Sequence, residues 1–327
     1  MLVIGKGLER LVAKRLAYAA VSHKLLSPQY VGATPAVGIP DLAHALVYDL
    51  KESRAKGLYT GAYLLDVEGG FNNVWHHLLS RQLENLGFTT GLTRWVQSFL
   101  SQRLWDRGLP QGSPLSPVLF MLYLAGAVRG RDSFAYVDDV LVKHSARTPV
   151  AMRAGLAAKV SRVLEALASL HCPVAPAKIE YLVVTPGATT PPELLLVAGL
   201  PALRPKTKMR WLGLWLNSRL KFDAHVSHWA SKAGAMAAYL RGLSKTVRGI
   251  PPAQAAVVAR ACVGEVALYG AEVWRRSRKP QAQFLATVDK SLKQAARAVV
   301  PAYRTTQVAA LHRESGVLLA ALKVTRR

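Results

Sequence analysis

The hydrophobic positions in the first third of the chain change their spacing several times. Between residues 8 and 16 they recur every three or four positions, which predicts a helix. The Gly- and Pro-containing stretch 27–40 predicts a loop, and a second helix is predicted at 41–55. Residues 62–67 are a short apolar run that reaches Asp66 and is followed by two glycines, which predicts a strand with one carboxylate at its end. The apolar face of the first helix consists of Leu8, Leu11, Val12 and Leu16.

Residues 134–142 contain two short runs of aromatic and β-branched residues that meet at Asp138 and Asp139. This pattern is typical of a β-hairpin with the two acids at or near its tip. Taken alone, the pair is also compatible with an exposed acidic turn, because charged residues usually lie at the surface. The surrounding patterns predict helices at 75–85, up to about residue 100 and at 149–171, and a strand at 179–184.

Capping signals mark the starts of two further helices. Ser113 is predicted to cap a helix that begins at Pro114, and Asp223 is predicted to cap a helix whose apolar residues recur every three or four positions. Between them, residues 209–216 predict a strand pair or a tight bend at Gly213. More helices at 252–268 and 281–300 predict a helical bundle in the last third of the chain.

Charge is distributed unevenly along the 327 residues. The formal net charge is +24, and residues 201–327 hold 23 Lys and Arg against 5 Asp and Glu. A folded segment this basic favours a polyanionic partner, because phosphates neutralised by the protein release counterions. A basic surface that only confers solubility is the alternative that charge by itself leaves open. With 51% hydrophobic residues, the chain is expected to be globular.

Two lone cysteines, Cys172 and Cys262, have no metal-binding spacing, which favours a reducing compartment. No uncharged apolar run reaches the roughly 18 residues of a membrane span, and the first residues lack the pattern of a signal peptide. We therefore expect no membrane partner and an intracellular location, in the nucleus or the cytoplasm.

Three acids suggest the chemistry. Asp66 and the Asp138-Asp139 pair come from distant segments, and they can meet only across one sheet. Three converging carboxylates need cations, and Mg²⁺ accepts one or two carboxylates together with substrate phosphates. Two such ions can activate a hydroxyl and stabilise a leaving pyrophosphate. The pattern predicts a metal-dependent nucleotidyl transfer, although Asp66 alone could also be a turn or N-cap residue.

Five motifs in order resemble those of reverse transcriptases, above all those of non-LTR (LINE-type) retrotransposons of fungi. They are LDVEGGF at 65–71, GLPQGSPLSP at 108–117, FAYVDD at 134–139, KIE at 178–180 and WLG at 211–213. The segments LYGAEVW at 268–274 and PAYRTT at 301–306 resemble the helical region that follows the polymerase core. The likeness covers nearly the whole chain and implies RNA-directed DNA synthesis.

The resemblance implies an α+β right-hand polymerase fold. Its divisions are partial fingers at 1–60, a ferredoxin-like palm at 61–218, a basic helical thumb at 219–300 and a truncated connector at 301–327. It also implies two Mg²⁺ ions, with Mn²⁺ as a substitute, and an RNA template, a DNA primer and dNTPs as partners.

The resemblance assigns roles to individual residues. Asp66, Asp138 and Asp139 are implied as the catalytic, metal-binding acids, and Phe71 as the ring that excludes a ribose 2′-hydroxyl. Gln111 and Gly112 are implied to line the nucleotide, and Lys178 to approach the triphosphate or protonate pyrophosphate. The implied primer grip is Trp211, Leu212 and Gly213.

Some segments depart from the family pattern. Residues 35–39 carry no Arg where relatives have a basic residue, which predicts the loss of a triphosphate contact there. Residues 101–107 are shorter than the strand pair that relatives carry, which predicts an internal deletion in the palm. Asn72-Asn73 replaces an Asp found in many relatives. Endonuclease and ribonuclease H regions are absent from the sequence, so we expect a fragment or a decayed copy of an element, and a remnant that only binds nucleic acid is the alternative function.

Overall fold

The computed structural model describes residues 3–101, 106–187, 193–244, 249–274, 282–303 and 305–325. The chain divides into two compact units. The first comprises Met1–Gly213 and Asn217–Leu220, and the second comprises Leu214–Leu216 and Lys221–Arg327. Within the described ranges, no helix combines the length and the apolar character needed to cross a bilayer. The predicted divisions at residues 60, 218 and 300 stay predictions.

The first unit is built on a five-stranded sheet with the order β1-β3-β4-β2-β5. The interior strand β2 pairs antiparallel with β4 on one side and β5 on the other, so that its apolar residues are buried as the sequence predicts. A smaller sheet has two strands, β6 and β7. The strands are β1 Tyr30–Val31, β2 Tyr59–Asp66, β3 Ser133–Tyr136, β4 Asp139–Ala146, β5 Glu180–Val184, β6 Lys208–Trp211 and β7 Leu214–Asn217.

Helices alternate with these strands in the first unit. Three helices lie between β2 and β3, and one long helix lies between β4 and β5. The strand order β3-β4-β2-β5 with these crossovers is the ferredoxin-like β-α-β-β-α-β arrangement, which confirms that part of the predicted fold. The helices are α1 Val3–Ser22, α2 Ile39–Ala55, α3 His76–Asn85, α4 Thr90–Ser101, α5 Ser116–Leu124 and α6 Pro149–Ser169.

Two details of this unit differ from the sequence prediction. The loop at 27–40 contains β1, which is too short to give a periodic signal and forms because Tyr30 pairs in parallel with Ala135. The helix expected at Pro114 begins at Ser116, and Ser113 is not its N-cap. The Ser113 hydroxyl instead donates a hydrogen bond to the Glu9 carboxylate at 2.6 Å, which holds Ser113 in the preceding turn.

Close packing of α6 on β2 depends on Gly61, because an added Cβ would lie 2.5 Å from Met152 Sδ and 2.7 Å from Leu156 Cδ2. We expect Gly61→Ala to lower the free energy of unfolding by about 1–3 kcal/mol, since both neighbours are buried in the core. Chemical denaturation checks this. The control is Gly126→Ala, where nothing lies within 4 Å of an added Cβ. Equal stability of the two variants would contradict the packing argument.

The second unit is helical. Its longest helices, α7 Asp223–Leu243 and α11 Ala282–Val299, pack against each other. Asp223 is the first residue of α7 and not its cap, because Phe222 occupies the N-cap position. The helix predicted at 252–268 is present but contains a π-helical turn at Ala259–Gly264. The remaining helices are α8 Pro252–Val258, α9 Glu265–Ala267, α10 Ala271–Trp274, α12 Val308–Ser315 and α13 Ala320–Thr325.

Candidate active site

The three predicted acids meet at one end of the sheet of the first unit. Asp66 is the last residue of β2 and lies directly opposite Asp139, the first residue of β4. Asp138 occupies the two-residue turn between β3 and β4, and its carbonyl accepts a hydrogen bond from the Val67 N–H at 3.4 Å. Antiparallel pairing of distant segments therefore brings together acids that lie about seventy residues apart in the sequence.

Backbone strain is stored in this turn. Val137 has a φ of 56°, which is rare for a β-branched residue. Two hydrogen bonds hold it in place: its N–H donates to the Val31 carbonyl at 3.1 Å, and its carbonyl accepts from the Tyr30 hydroxyl at 3.0 Å. Gly32 lies so close to the Val137 side chain that a Cβ there would overlap it. The short strand β1 thus fixes the position of the turn that carries Asp138.

Like charges and burial perturb the acids. Burial, together with the neighbouring Asp138 and Asp66, raises the pKa of Asp139 to about 6. Burial, and to a lesser degree Asp66, also raises the pKa of Asp138. The neighbouring carboxylates therefore disfavour ionisation of Asp138 and Asp139, an effect that a bound cation would relieve.

Asp139→Asn is expected to stabilise the protein in the absence of divalent ions. Because the folded-state pKa is raised to about 6, the protein loses stability as the pH rises from the ordinary pKa of an aspartate, about 4, to 6. Removing the ionisation at pH 7.5 should recover about 1 kcal/mol after allowance for solvent screening, or roughly 2–4 °C in Tm. Thermal unfolding followed by circular dichroism measures this.

The control for this prediction is Glu84→Gln, which changes an exposed acid on α3. A Tm for Asp139→Asn that is equal to or below that of Glu84→Gln at pH 7.5 would contradict the electrostatic explanation. A second check is the pH dependence, since the variant should lose less stability between pH 4 and 6 than the parent protein.

Lys178 lies beside the acids, as the last residue of a short 3₁₀ helix at Pro176–Lys178. Its ammonium Nζ is 2.8 Å from Asp66 Oδ2, and this hydrogen bond raises the pKa of Lys178. The backbone of Asp66 is held from the same side, because its carbonyl accepts from the Ala175 N–H at 3.0 Å. The ammonium therefore stays protonated and offsets part of the negative charge of the acids.

Phe71 lies on the 3₁₀ helix Gly70–Asn73 that follows β2. Its ring packs edge-on against Phe120 with centroids 5.2 Å apart, and its carbonyl accepts from the Leu109 N–H at 2.8 Å. A Cβ added to the preceding residue, Gly70, would lie 3.7 Å from Asp138 Oδ2. The Phe71 ring is thus anchored by Phe120, and the residue before it, Gly70, lies beside Asp138.

The turn before α5 carries Gln111 and Gly112, both exposed. Gly112 has a φ of 82°, which favours glycine, and it lines a cavity of about 360 Å³ together with Phe71. Lys6 and Arg10 of α1 line the same cavity. Neither cation was predicted as a site residue from the sequence, because the hydrophobic spacing of α1 indicates only a packing helix. Their spacing of one helical turn was the available signal.

The three residues of the predicted primer grip differ in how far they are exposed to solvent. Trp211 is 1% exposed and packs edge-on against Phe134, with ring centroids 6.4 Å apart. Leu212 and Gly213 are half-buried and both have a positive φ, so the chain bends sharply there. Trp211 supports this bend from the core, and Leu212 and Gly213 form its outer part.

Carboxylate oxygens are the ligands that hard divalent cations prefer. Within the part of the chain that the structure describes, no group of three or more His, Cys, Asp or Glu side chains is arranged to enclose a metal ion by itself. Mg²⁺ needs only one or two carboxylates when substrate phosphates complete its shell. The mutual repulsion between Asp66, Asp138 and Asp139 therefore fits an ion held jointly with a substrate.

Comparisons with known proteins agree on one family. Residues 1–216 match the model of reverse transcriptase (RNA-dependent DNA polymerase). The chain is 24% identical over 302 residues to a probable RNA-directed DNA polymerase from transposon BS of Drosophila melanogaster, covering 81% of this chain and 32% of the relative. It is 27% identical over 163 residues to the RNA-directed DNA polymerase from mobile element jockey of Drosophila funebris, and this match covers 42% of this chain and 18% of that relative. The chain thus spans less than a third of the length of these relatives.

The solved structures that resemble the chain in fold include telomerase from Candida albicans in complex with the TWJ fragment of telomeric RNA. The TM-score is 0.51 at 11% sequence identity, and the match covers 96% of this chain and 59% of that chain. At this level of identity the similarity concerns the fold alone.

Proposed function

The chain belongs to the reverse transcriptase (RNA-dependent DNA polymerase) family, and from this membership we propose that it extends a DNA primer with dNTPs on an RNA template. The observation that carries the proposal is the pairing of Asp66 with Asp139 beside Asp138, at one end of a ferredoxin-like sheet. In this reaction the primer 3′-hydroxyl attacks the α-phosphorus of the dNTP, a new phosphodiester bond forms, and pyrophosphate leaves.

Reverse transcriptases use divalent metal ions. We propose that Asp66, Asp138 and Asp139 hold two Mg²⁺ ions, for which Mn²⁺ can substitute, together with the triphosphate of the nucleotide. Bound there, such ions would lower the pKa of the attacking hydroxyl and stabilise the charge of the leaving pyrophosphate. The strained turn at Val137 would keep the Asp138 carboxylate in position before substrate arrives.

The proposal also assigns roles to other side chains near the acids. Lys178, which is bonded to Asp66, would approach the triphosphate or donate a proton to the leaving pyrophosphate. Phe71, anchored against Phe120, would lie against the sugar of the nucleotide and leave no room for a 2′-hydroxyl. Gln111 and Gly112 would lie along the nucleotide, since Gly112 shares a cavity with Phe71.

Binding of the template and primer requires cationic side chains that contact the phosphates and a segment that holds the end of the primer. We propose that the basic second unit binds the phosphate backbone of an RNA-containing duplex, through exposed residues such as Lys232, Arg241 and Lys290. The bend at Leu212 and Gly213, supported by Trp211, would hold the 3′ end of the primer.

Primer extension tests the proposal. The intact chain is incubated with a DNA primer annealed to RNA, dNTPs and Mg²⁺, and the products are separated by length. Template-dependent extension that stops when a chelator removes the metal supports the polymerase. Salt-sensitive RNA binding with no extension under Mg²⁺ or Mn²⁺ contradicts it and favours the alternative of a remnant that only binds nucleic acid.

A further inference from the structure

A cavity of about 360 Å³ lies beside the candidate active site in the first unit. Its size is within the range of small-ligand pockets, whereas a nucleic-acid strand runs along an extended groove. Two cationic side chains, one aromatic ring and an exposed turn surround it. The lining residues are Lys6, Arg10, Phe71, Gly112, Ser113, Pro114, Ser116 and Pro117.

The position of α1 over this cavity is fixed by a buried acid. Glu9 is only 2% exposed, and its carboxylate accepts a hydrogen bond from the Ser113 hydroxyl at 2.6 Å. Lys6 and Arg10 lie three positions before and one position after Glu9, and they are one helical turn apart. The bond between Glu9 and Ser113 therefore places both cations beside the turn that contains Gly112.

Neither cation has an acidic partner among the residues that the structure describes, and both side chains are exposed. An arginine fork and a lysine ammonium on adjacent turns suit a ligand with several anionic oxygens. Gly112 adds backbone that a ligand can approach closely, since nothing lies within 4 Å of a Cβ built there. The chemistry of the cavity matches a polyphosphate.

We propose that Lys6 and Arg10 bind the polyphosphate of the incoming nucleotide, an inference that rests on the proposed function. The phosphates are more consistent with a nucleotide than with a template strand because of the position of Phe71. Phe71 lines the same cavity, and it lies next in sequence to Gly70, which borders Asp138. A nucleotide bound here would extend from the acids towards α1.

The first experiment measures binding of inorganic tripolyphosphate by isothermal titration calorimetry. We expect Lys6→Ala and Arg10→Ala each to weaken binding by about tenfold or more, and Arg10→Lys to lose less. Lys14→Ala and Arg15→Ala are the matched controls, because these exposed residues of α1 do not line the cavity. Equal weakening in the controls, or none in Lys6→Ala and Arg10→Ala, overturns the proposal.

The second experiment separates nucleotide phosphates from strand phosphates. In primer extension, Lys6→Ala and Arg10→Ala should raise the KM for dNTP about tenfold, with kcat and the Kd for template–primer changed by less than about threefold. A weaker template–primer Kd with an unchanged KM overturns the proposal. If the parent protein does not extend primers, the proposed function fails, and the tripolyphosphate titration still decides whether the cavity binds polyphosphate.

Discussion

Asp138→Asn is expected to reduce the rate of primer extension by at least about 10³-fold, because in the proposed mechanism a metal ion held by Asp138 would stabilise the transition state by several kcal/mol. The substitution keeps the size of the side chain and removes one negative charge. The backbone N–H groups of Asp138 and Asp139 act on the Asp138 carboxylate and lower its pKa, and an Asn side chain of the same shape can occupy the same place. The turn should therefore keep its conformation.

Single-turnover primer extension with saturating dNTP measures this effect, and a filter-binding assay with RNA checks that binding persists. The matched control is Glu68→Gln, an exposed acid two residues after Asp66. We expect the control to retain the parent rate within about threefold. A rate for Asp138→Asn similar to that of Glu68→Gln would show that the acid at the turn is not needed for the chemistry.

Phe71→Ala is expected to weaken discrimination against ribonucleotides by about 10²-fold, the range in which a pocket of fixed shape rejects one added hydroxyl. The ring is held by Phe120 and by the backbone hydrogen bond to Leu109, so its position does not depend on a bound ligand. Removing the ring opens the cavity on the side where the sugar of the nucleotide would lie. The ratio of kcat/KM for dNTP to that for the matching rNTP measures the change.

The conservative variant Phe71→Tyr is the control, since it keeps a ring at the same place. Its discrimination ratio should remain close to that of the parent protein. Loss of dNTP and rNTP incorporation by the same factor in Phe71→Ala would contradict a role in sugar selection and would indicate a structural role through the contact with Phe120. Thermal unfolding of both variants separates the two outcomes.

Much of the first unit was predictable because its signals are local. The apolar run that contains Asp66, the two runs that flank Asp138 and the helical spacing at 149–171 each arise from a few neighbouring residues. The order of the motifs implied a polymerase fold, and that fold class is confirmed by the ferredoxin-like sheet and by the similarity to telomerase. The family assignment is confirmed by the match over residues 1–216, while the likeness to fungal elements stays a prediction.

Other features were not predictable because they depend on partners far away in the sequence. The face of α1 that packs inward contains Glu9, Ala13 and Leu16, whereas Leu8 and Leu11, which the hydrophobic spacing predicts to be packed, are about half exposed. One contact on the inward face comes from a serine more than one hundred residues later, whose hydroxyl donates a hydrogen bond to Glu9. Most of the shortened segment 101–107 lies outside the described residues, so the predicted deletion in the palm stays a prediction.

The sequence by itself determined the family, the order of most helices and strands, and the expectation that three acids converge on one sheet, because these follow from residue type, motif order and short-range spacing. The tertiary structure decided which individual residues lie in contact. Pairing across the sheet placed Asp139 opposite Asp66, and the Lys178 ammonium bonded to Asp66 from another segment. The buried Glu9 brought two cations of α1 to the cavity beside Phe71. Contacts of this kind form between segments far apart in the chain, so local sequence patterns do not indicate them.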